Sequence, residues 1–242
     1  MADTTNKQDK INAPARNPKT LSIWQQNVNR SSTCQHNLIS SAALVRRGID
    51  IVALQEPPIS KFGTSVASRD WVLIYPTTHS TDPHKTRSLI LMRSNILMEH
   101  WKQIDFPSGD VTIVQLNGNW GELTLFNIYN NCEKNDTITQ LEAFTQATIT
   151  PSGRSAANSK PIIWMGNFNQ HHPHWDNPID TRLFTKSALD NAEVLISAVA
   201  GLGMDLALPP SIPTHLHNVT KKWSTRYSSR KTTQTQSSPV TL

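Results

Sequence analysis

Two short apolar runs narrow the folds open to this chain. Residues 51–54, in DIVALQEPP, and residues 162–165, in PIIWMG, contain no polar side chain. Unbroken runs of this length suit strands buried on both faces, as in a parallel sheet between helices. Both stop abruptly. The first ends at Gln55-Glu56 before Pro57 and Pro58, which cannot donate to a ladder. The second ends at Gly166-Asn167. Upstream, LSIWQQNVNR is another apolar run that turns polar, a strand entering a loop. SSTCQHNLISSAALVRRGID then reads as a helix, with a Ser32–Gln35 capping box and Gly48 at its stop. Strand, helix and strand make a β-α-β unit with polar residues at both strand ends.

The spacing predicts further strands at 71–75, 88–92, 96–104, 111–116 and 123–129, joined by links short enough for antiparallel meanders. Ile138, Leu141 and Phe144 have helical spacing. A long helix is predicted over 181–202, with Phe184, Ala188, Leu195, Val199 and Leu202 on one stripe. MDLALP reads as a short strand. Residues 1–20 read as a disordered leader, and 21–217 as the folded domain. The Ser/Thr-rich segment 218–242 has too few apolar residues for a core strand. That composition fits a disordered tail or a frame-shift near Trp223.

A net charge of +5 and a pI of about 9.3 favour an anionic partner. Two cysteines, Cys34 and Cys132, are no disulfide framework and suit a reducing compartment. The start has no apolar stretch like a secretory signal and no run is long enough for a membrane span, so an intracellular protein is expected.

Asn27, Glu56, Tyr129 and the Asn167/Asn169 pair all fall at predicted strand ends. Sites in open α/β sheets gather there. A lone strand-end carboxylate such as Glu56 suits Mg²⁺, which needs one or two protein carboxylates beside water and phosphate oxygens. Mg²⁺-assisted phosphoester chemistry is the reading, with blander ones beside it: Glu56 as a solvated strand end, Asn27 as a turn former, Tyr129 as a core ring. His171, His172 and His174 invite a zinc reading. No cysteine lies nearby, however, and adjacent histidines in an extended loop point to opposite sides.

IWQQNVNRS, DIVALQEPP, TRSLILM, LTLFNIYNN, PIIWMGNFNQHHPHWD and LPPSIPTH resemble, in order and spacing, motifs of the endonuclease/exonuclease/phosphatase superfamily. The likeness is to the apurinic-like endonuclease domain of non-LTR (LINE-like) retrotransposons. It implies a four-layer α/β sandwich of two mixed β-sheets flanked by helices, a Mg²⁺ cofactor with Mn²⁺ as an alternative, DNA as partner and nuclear residence. By resemblance Asn27 orients the metal and catalytic groups, and Glu56 binds the metal. Tyr129 lies near the scissile phosphate and Asn169 contacts it. His171 and His172 structure the loop or face DNA, and Thr214 matches a family threonine.

Two departures from the pattern bear on activity. Asn167 stands where the family has aspartate, and an amide cannot take a proton from water. No aspartate follows Asp205 and no histidine follows His217, so the family's terminal Asp–His pair and C-terminal strands have no counterpart. The resemblance thus implies a DNA endonuclease of weak or absent activity. A non-catalytic nucleic-acid-binding module and a phosphatase of the same superfamily are the alternatives.

Overall fold

The computed structural model describes residues 20–118, 121–131, 134–149, 160–209 and 239–241. β1 (Thr20–Asn27) and β2 (Ile51–Gln55) are parallel neighbours, with Ile23 opposite Ile51 and Asn27 opposite Gln55. Their crossover is two helices, not one: α1 (Ser32–Ile39) and α2 (Ala42–Arg46). Ser41 causes the break, because its hydroxyl accepts from Ala43 N and caps a new N-terminus. The first cap is Ser31, accepting from Cys34 N at 3.1 Å, one position before the expected one. Gln35 is drawn instead to the loop beyond β2, where it bonds Val66 O and Ser65 Oγ. Gly48 follows α2 at φ +63, a conformation glycine adopts without strain.

β3 (Trp71–Ile74) and β4 (Ser88–Arg93) complete the first sheet as antiparallel neighbours, β4 pairing with β2. The second sheet is the meander β5 (Trp101–Ile104), β6 (Val111–Gly118) and β7 (Gly121–Tyr129), with β8 (Ile162–Asn167) parallel to β7. The strand expected over 96–104 is shorter because Met98–His100 forms a 3-10 turn. α3 (Asp136–Phe144) continues into a π-helical turn, Thr145–Ile149. α4 (Lys186–Gly201) begins after the Thr185 cap, later than expected, and buries Ala192, Leu195 and Ala198 instead of the whole predicted stripe. MDLALP forms no strand; Leu206 within it is 55% exposed.

The tail reading changes at one place. Pro239–Thr241 forms β9, antiparallel to β1 at the sheet edge, in the order β3-β4-β2-β1-β9. An edge strand needs backbone bonds on one side and no core side chains, so its composition is no bar. The rest of the tail, the leader up to residue 19 and the expectation of missing C-terminal strands fall outside the described residues.

Both sheets are mixed and they stack between helices. Trp24, Val52, Leu54, Leu89 and Leu91 cover the outer face of the first sheet against Ile39 and Leu44 of its helices. Ile51, Ile90 and Met92 meet Val114, Leu116, Leu123 and Leu125 between the sheets. Ile113, Phe126 and Ile128 pack against Leu141, and Ile138 against Leu195 and Ala198. The result is the four-layer α/β sandwich. Each fully buried aliphatic side chain contributes about 1.5–3 kcal/mol.

Candidate active site

The interior between the sheets changes character along its length. Alternate residues of a strand share a face. On the inner face β1 runs Ile23, Gln25, Asn27, and β2 runs Ile51, Ala53, Gln55. β7 runs Leu125, Asn127, Tyr129, and β8 runs Ile163, Met165, Asn167. β4 and β6 enter with Ser88 and Thr112 before Ile90 and Val114. The ladder registers place all these changes at one end: Asn27 opposite Gln55, Gln55 opposite Ser88, Thr112 opposite Asn127, Tyr129 opposite Asn167.

That polar end is hydrogen-bonded across the two sheets. Gln25 Nε2 donates to Gln55 Oε1 at 2.7 Å, and Gln55 Nε2 donates to Asn127 Oδ1. Asn127 Nδ2 donates to Leu54 O and Leu89 O at 2.8 and 3.0 Å, and Ser88 Oγ donates to Asn127 O at 2.8 Å. Buried amides are tolerable because each finds partners. The seam fixes the two sheets at the level where the candidate site begins.

Asn27 and Glu56 form the part of the site on the first sheet. Asn27 Nδ2 donates to Glu56 Oε2 at 2.7 Å, while Asn27 Oδ1 accepts from Asn29 N at 2.7 Å. Glu56 has φ +49, which turns its carboxylate off the strand axis at a cost of about 1–2 kcal/mol. It is partly exposed. One oriented, accessible carboxylate is a donor set that fits Mg²⁺. Among the described residues no group of three or more His, Cys, Asp or Glu could hold a metal. The zinc alternative therefore finds no ligand cluster there.

Tyr129, Asn167 and Asn169 form the part on the second sheet. Asn130 N donates to Asn167 O at 2.8 Å, and Asn169 Nδ2 donates to Asn130 O at 2.6 Å. Asn169 has φ +52, a second left-handed residue at a candidate position. Asn167 is fully buried, yet neither Nδ2 nor Oδ1 has a hydrogen-bond partner among the described residues. Leaving a buried amide unpaired costs about 1–3 kcal/mol. Such a group in a native interior calls for an explanation, a bound water or ion or a role in the site's chemistry.

Arg87, which the strand-end reading did not single out, connects the two parts. Its carbonyl accepts from Glu56 N at 2.8 Å. Its guanidinium lies 4.6 Å from the Tyr129 ring centroid and makes a two-pronged pair with Asp110. Burial disfavours the Arg87 cation, but Asp110 and then Tyr129 outweigh it and raise its pKa. A cavity of about 270 Å³ opens alongside, lined by Arg87, Ser108, Asp110, Asn131, Lys134 and Thr137 among others.

The histidines belong to the next turn. Asp176 Oδ2 meets His171 Nδ1 at 3.2 Å and accepts from His172 N at 3.1 Å, while Trp175 Nε1 donates to Gln170 O. His172 stands 3.8 Å from Glu193 of α4 and edge-on to His174. Burial pushes the His172 imidazole below its usual pKa, and His174 adds to this; Glu193 and Asp176 pull the other way. These contacts hold the loop's shape. Thr214 lies outside the described residues, as do His215 and His217.

A model of the Endonuclease/Exonuclease/phosphatase family matches residues 24–235. Among solved structures, the endonuclease domain of TRAS1, a telomere-specific non-LTR retrotransposon, is similar with a TM-score of 0.61. The two share 17% identity, over 87% of this chain and 82% of that one. The AP endonuclease LMAP from Leishmania major is similar with a TM-score of 0.57 and 11% identity, over 83% and 70%. At these identities the likeness is one of fold. No curated protein sequence matches the chain.

Proposed function

The chain belongs to the endonuclease/exonuclease/phosphatase family, and on that premise we propose that it is a Mg²⁺-dependent DNA phosphodiesterase domain with attenuated hydrolysis. What supports this reading above all is the polar end of the sandwich. The Asn27–Glu56 pair and the Tyr129–Asn167–Asn169 group meet there, tied together by Gln55–Asn127 and by Arg87. The two nuclease neighbours and the net charge of +5 favour DNA as the anion.

Glu56 would hold the cation, with Asn27 fixing the carboxylate's orientation. Bound there, Mg²⁺ supplies charge neutralisation at the phosphate and support for the leaving oxygen. Asn169 has a second amide N–H beyond the one given to Asn130, and it can donate to a phosphate oxygen. Fixed donors of this kind stabilise developing charge without reorganising. Asn167 can orient a water but cannot take its proton. Losing a general base lowers a rate by about 10²–10⁴-fold. The same residue favours a second reading, a module that binds DNA without cutting it.

Supercoiled plasmid tests the proposal. Nicked circles should accumulate slowly with Mg²⁺ or Mn²⁺ and not in EDTA. Glu56→Gln should abolish them while shifting stability by less than about 0.5 kcal/mol, since a glutamine oxygen can still accept from Asn27. Nicking that survives both EDTA and Glu56→Gln overturns the proposal. Salt-sensitive, metal-independent DNA binding with no nicking would favour the binding module.

A further inference from the structure

We propose that the loop tip at Lys61 and Phe62 is a second DNA contact, its ring stacking on an unpaired or unstacked base next to the strand held at Glu56. The inference rests on the reading of the site as a DNA phosphodiesterase. Phe62 is 80% exposed, and Lys61 Nζ lies 5.0 Å from its ring centroid. Singly exposed apolar residues are ordinary. What sets this one apart is the backbone beneath it.

The tip is held from several directions. Ser60 N donates to Thr64 O at 2.8 Å, Gly63 N donates to Ser60 O at 2.9 Å, and Ser60 Oγ accepts from Phe62 N at 3.2 Å. His79 spans the gap to Thr86, the residue before Arg87. Its Nε2 lies 2.8 Å from Gly63 O and its Nδ1 lies 2.6 Å from Thr86 Oγ1. The His79 ring stacks on Tyr75 with centroids 3.9 Å apart, and the Tyr75 hydroxyl accepts from Ser65 N. A side chain would have little room at Gly63, where φ is +74 and a Cβ would sit 3.1 Å from Pro83. An aromatic ring on a preorganised loop loses little entropy when a ligand stacks on it.

Charge and reach select the ligand. Lys61, His84 and Lys85 are exposed; Pro83, next to the last two, lies against Gly63, and the carboxylate of Asp82 is paired with Lys85 at 3.0 Å. Phe62 follows Glu56 by six positions, so the two lie at most about 20 Å apart. That span is about six base pairs at 3.4 Å each. His79 ties Gly63 to Thr86, and the next residue, Arg87, bonds Glu56 N, so a strand gripped at Glu56 and running toward this loop would reach the ring. Aromatic rings beside cations are the usual platform for unstacked bases.

The test is fluorescence anisotropy of a labelled duplex with a short internal bubble, bound by the full chain in Mg²⁺. Phe62→Ala should weaken binding about five- to a hundred-fold, the range of base–aromatic stacking. It should leave the salt slope and the urea midpoint unchanged, and Phe62→Trp should bind within about twofold of wild type. Lys61→Gln should lower the salt slope by about one unit. Equal affinity for wild type and Phe62→Ala overturns this inference and leaves the Glu56 site untouched. Absence of DNA binding by wild type overturns both. Loss of affinity in Phe62→Ala beside a wild type that never nicks supports the contact and removes the nuclease reading alone.

Discussion

Glu56 and Asn169 both hold left-handed backbone, at φ +49 and +52, and both are candidate site residues. Strain at functional positions persists when the surroundings over-determine it. Here the surroundings are the Asn27 amide, the Arg87 carbonyl and the Asn130 carbonyl. Arg87 is the most exposed to mutational loss. Removing its guanidinium strands the Asp110 carboxylate, whose side chain is 12% exposed. Arg87→Ala should destabilise the fold by about 3 kcal/mol, as expected when a buried charge loses its partner. The double variant Arg87→Ala/Asp110→Ala should recover part of that loss. Urea denaturation measures both, and a single-variant loss below about 0.5 kcal/mol would mean the pair is not structural.

Elements explain what could be read in advance. The runs at 51–54 and 162–165 became β2 and β8; β2 is buried throughout as expected, but β8 is only partly buried up to Gly166 because it lies at the edge of its sheet. The placements of Asn27, Tyr129 and Asn167 at the ends of β1, β7 and β8, and of Glu56 just past β2, were legible because a strand end is marked by its own sequence. Arg87 and Asp110 were not, since their contact joins the residues that lead into two strands of different sheets, β4 and β6, and no local pattern encodes it. The break between α1 and α2 was hidden in a Ser-Ser pair that a continuous helix tolerates. Gly166 could have signalled more than an abrupt stop. At φ +149, a Cβ there would lie 1.9 Å from Ile128 O, so β7 and β8 pair as they do because this residue is glycine. Gly166→Ala should cost more than about 3 kcal/mol or prevent folding. Near-UV circular dichroism and urea titration will show it, and a native-like variant would mean the strand end can shift aside.

Across the whole molecule, the sandwich is an apolar core that ends in a neutral polar floor. Gln25, Asn27, Gln55, Ser88, Thr112, Asn127 and Asn167 are all uncharged, and the carboxylate of Glu56 stands at the rim. Neutral amides can be buried and bonded at modest cost, whereas a row of buried charges could not. The one buried amide in this floor with neither polar atom partnered, among the described residues, is Asn167. By the sequence resemblance, it takes the position where the family pattern carries a carboxylate. Holding metal and phosphate while lacking the group that handles water is the central claim. Initial rates of plasmid nicking in Mg²⁺ by wild type and Asn167→Asp test it most directly. The account predicts that Asn167→Asp is faster by about 10²-fold or more. Equal rates for the two proteins, whether both fast or both nil, would contradict it.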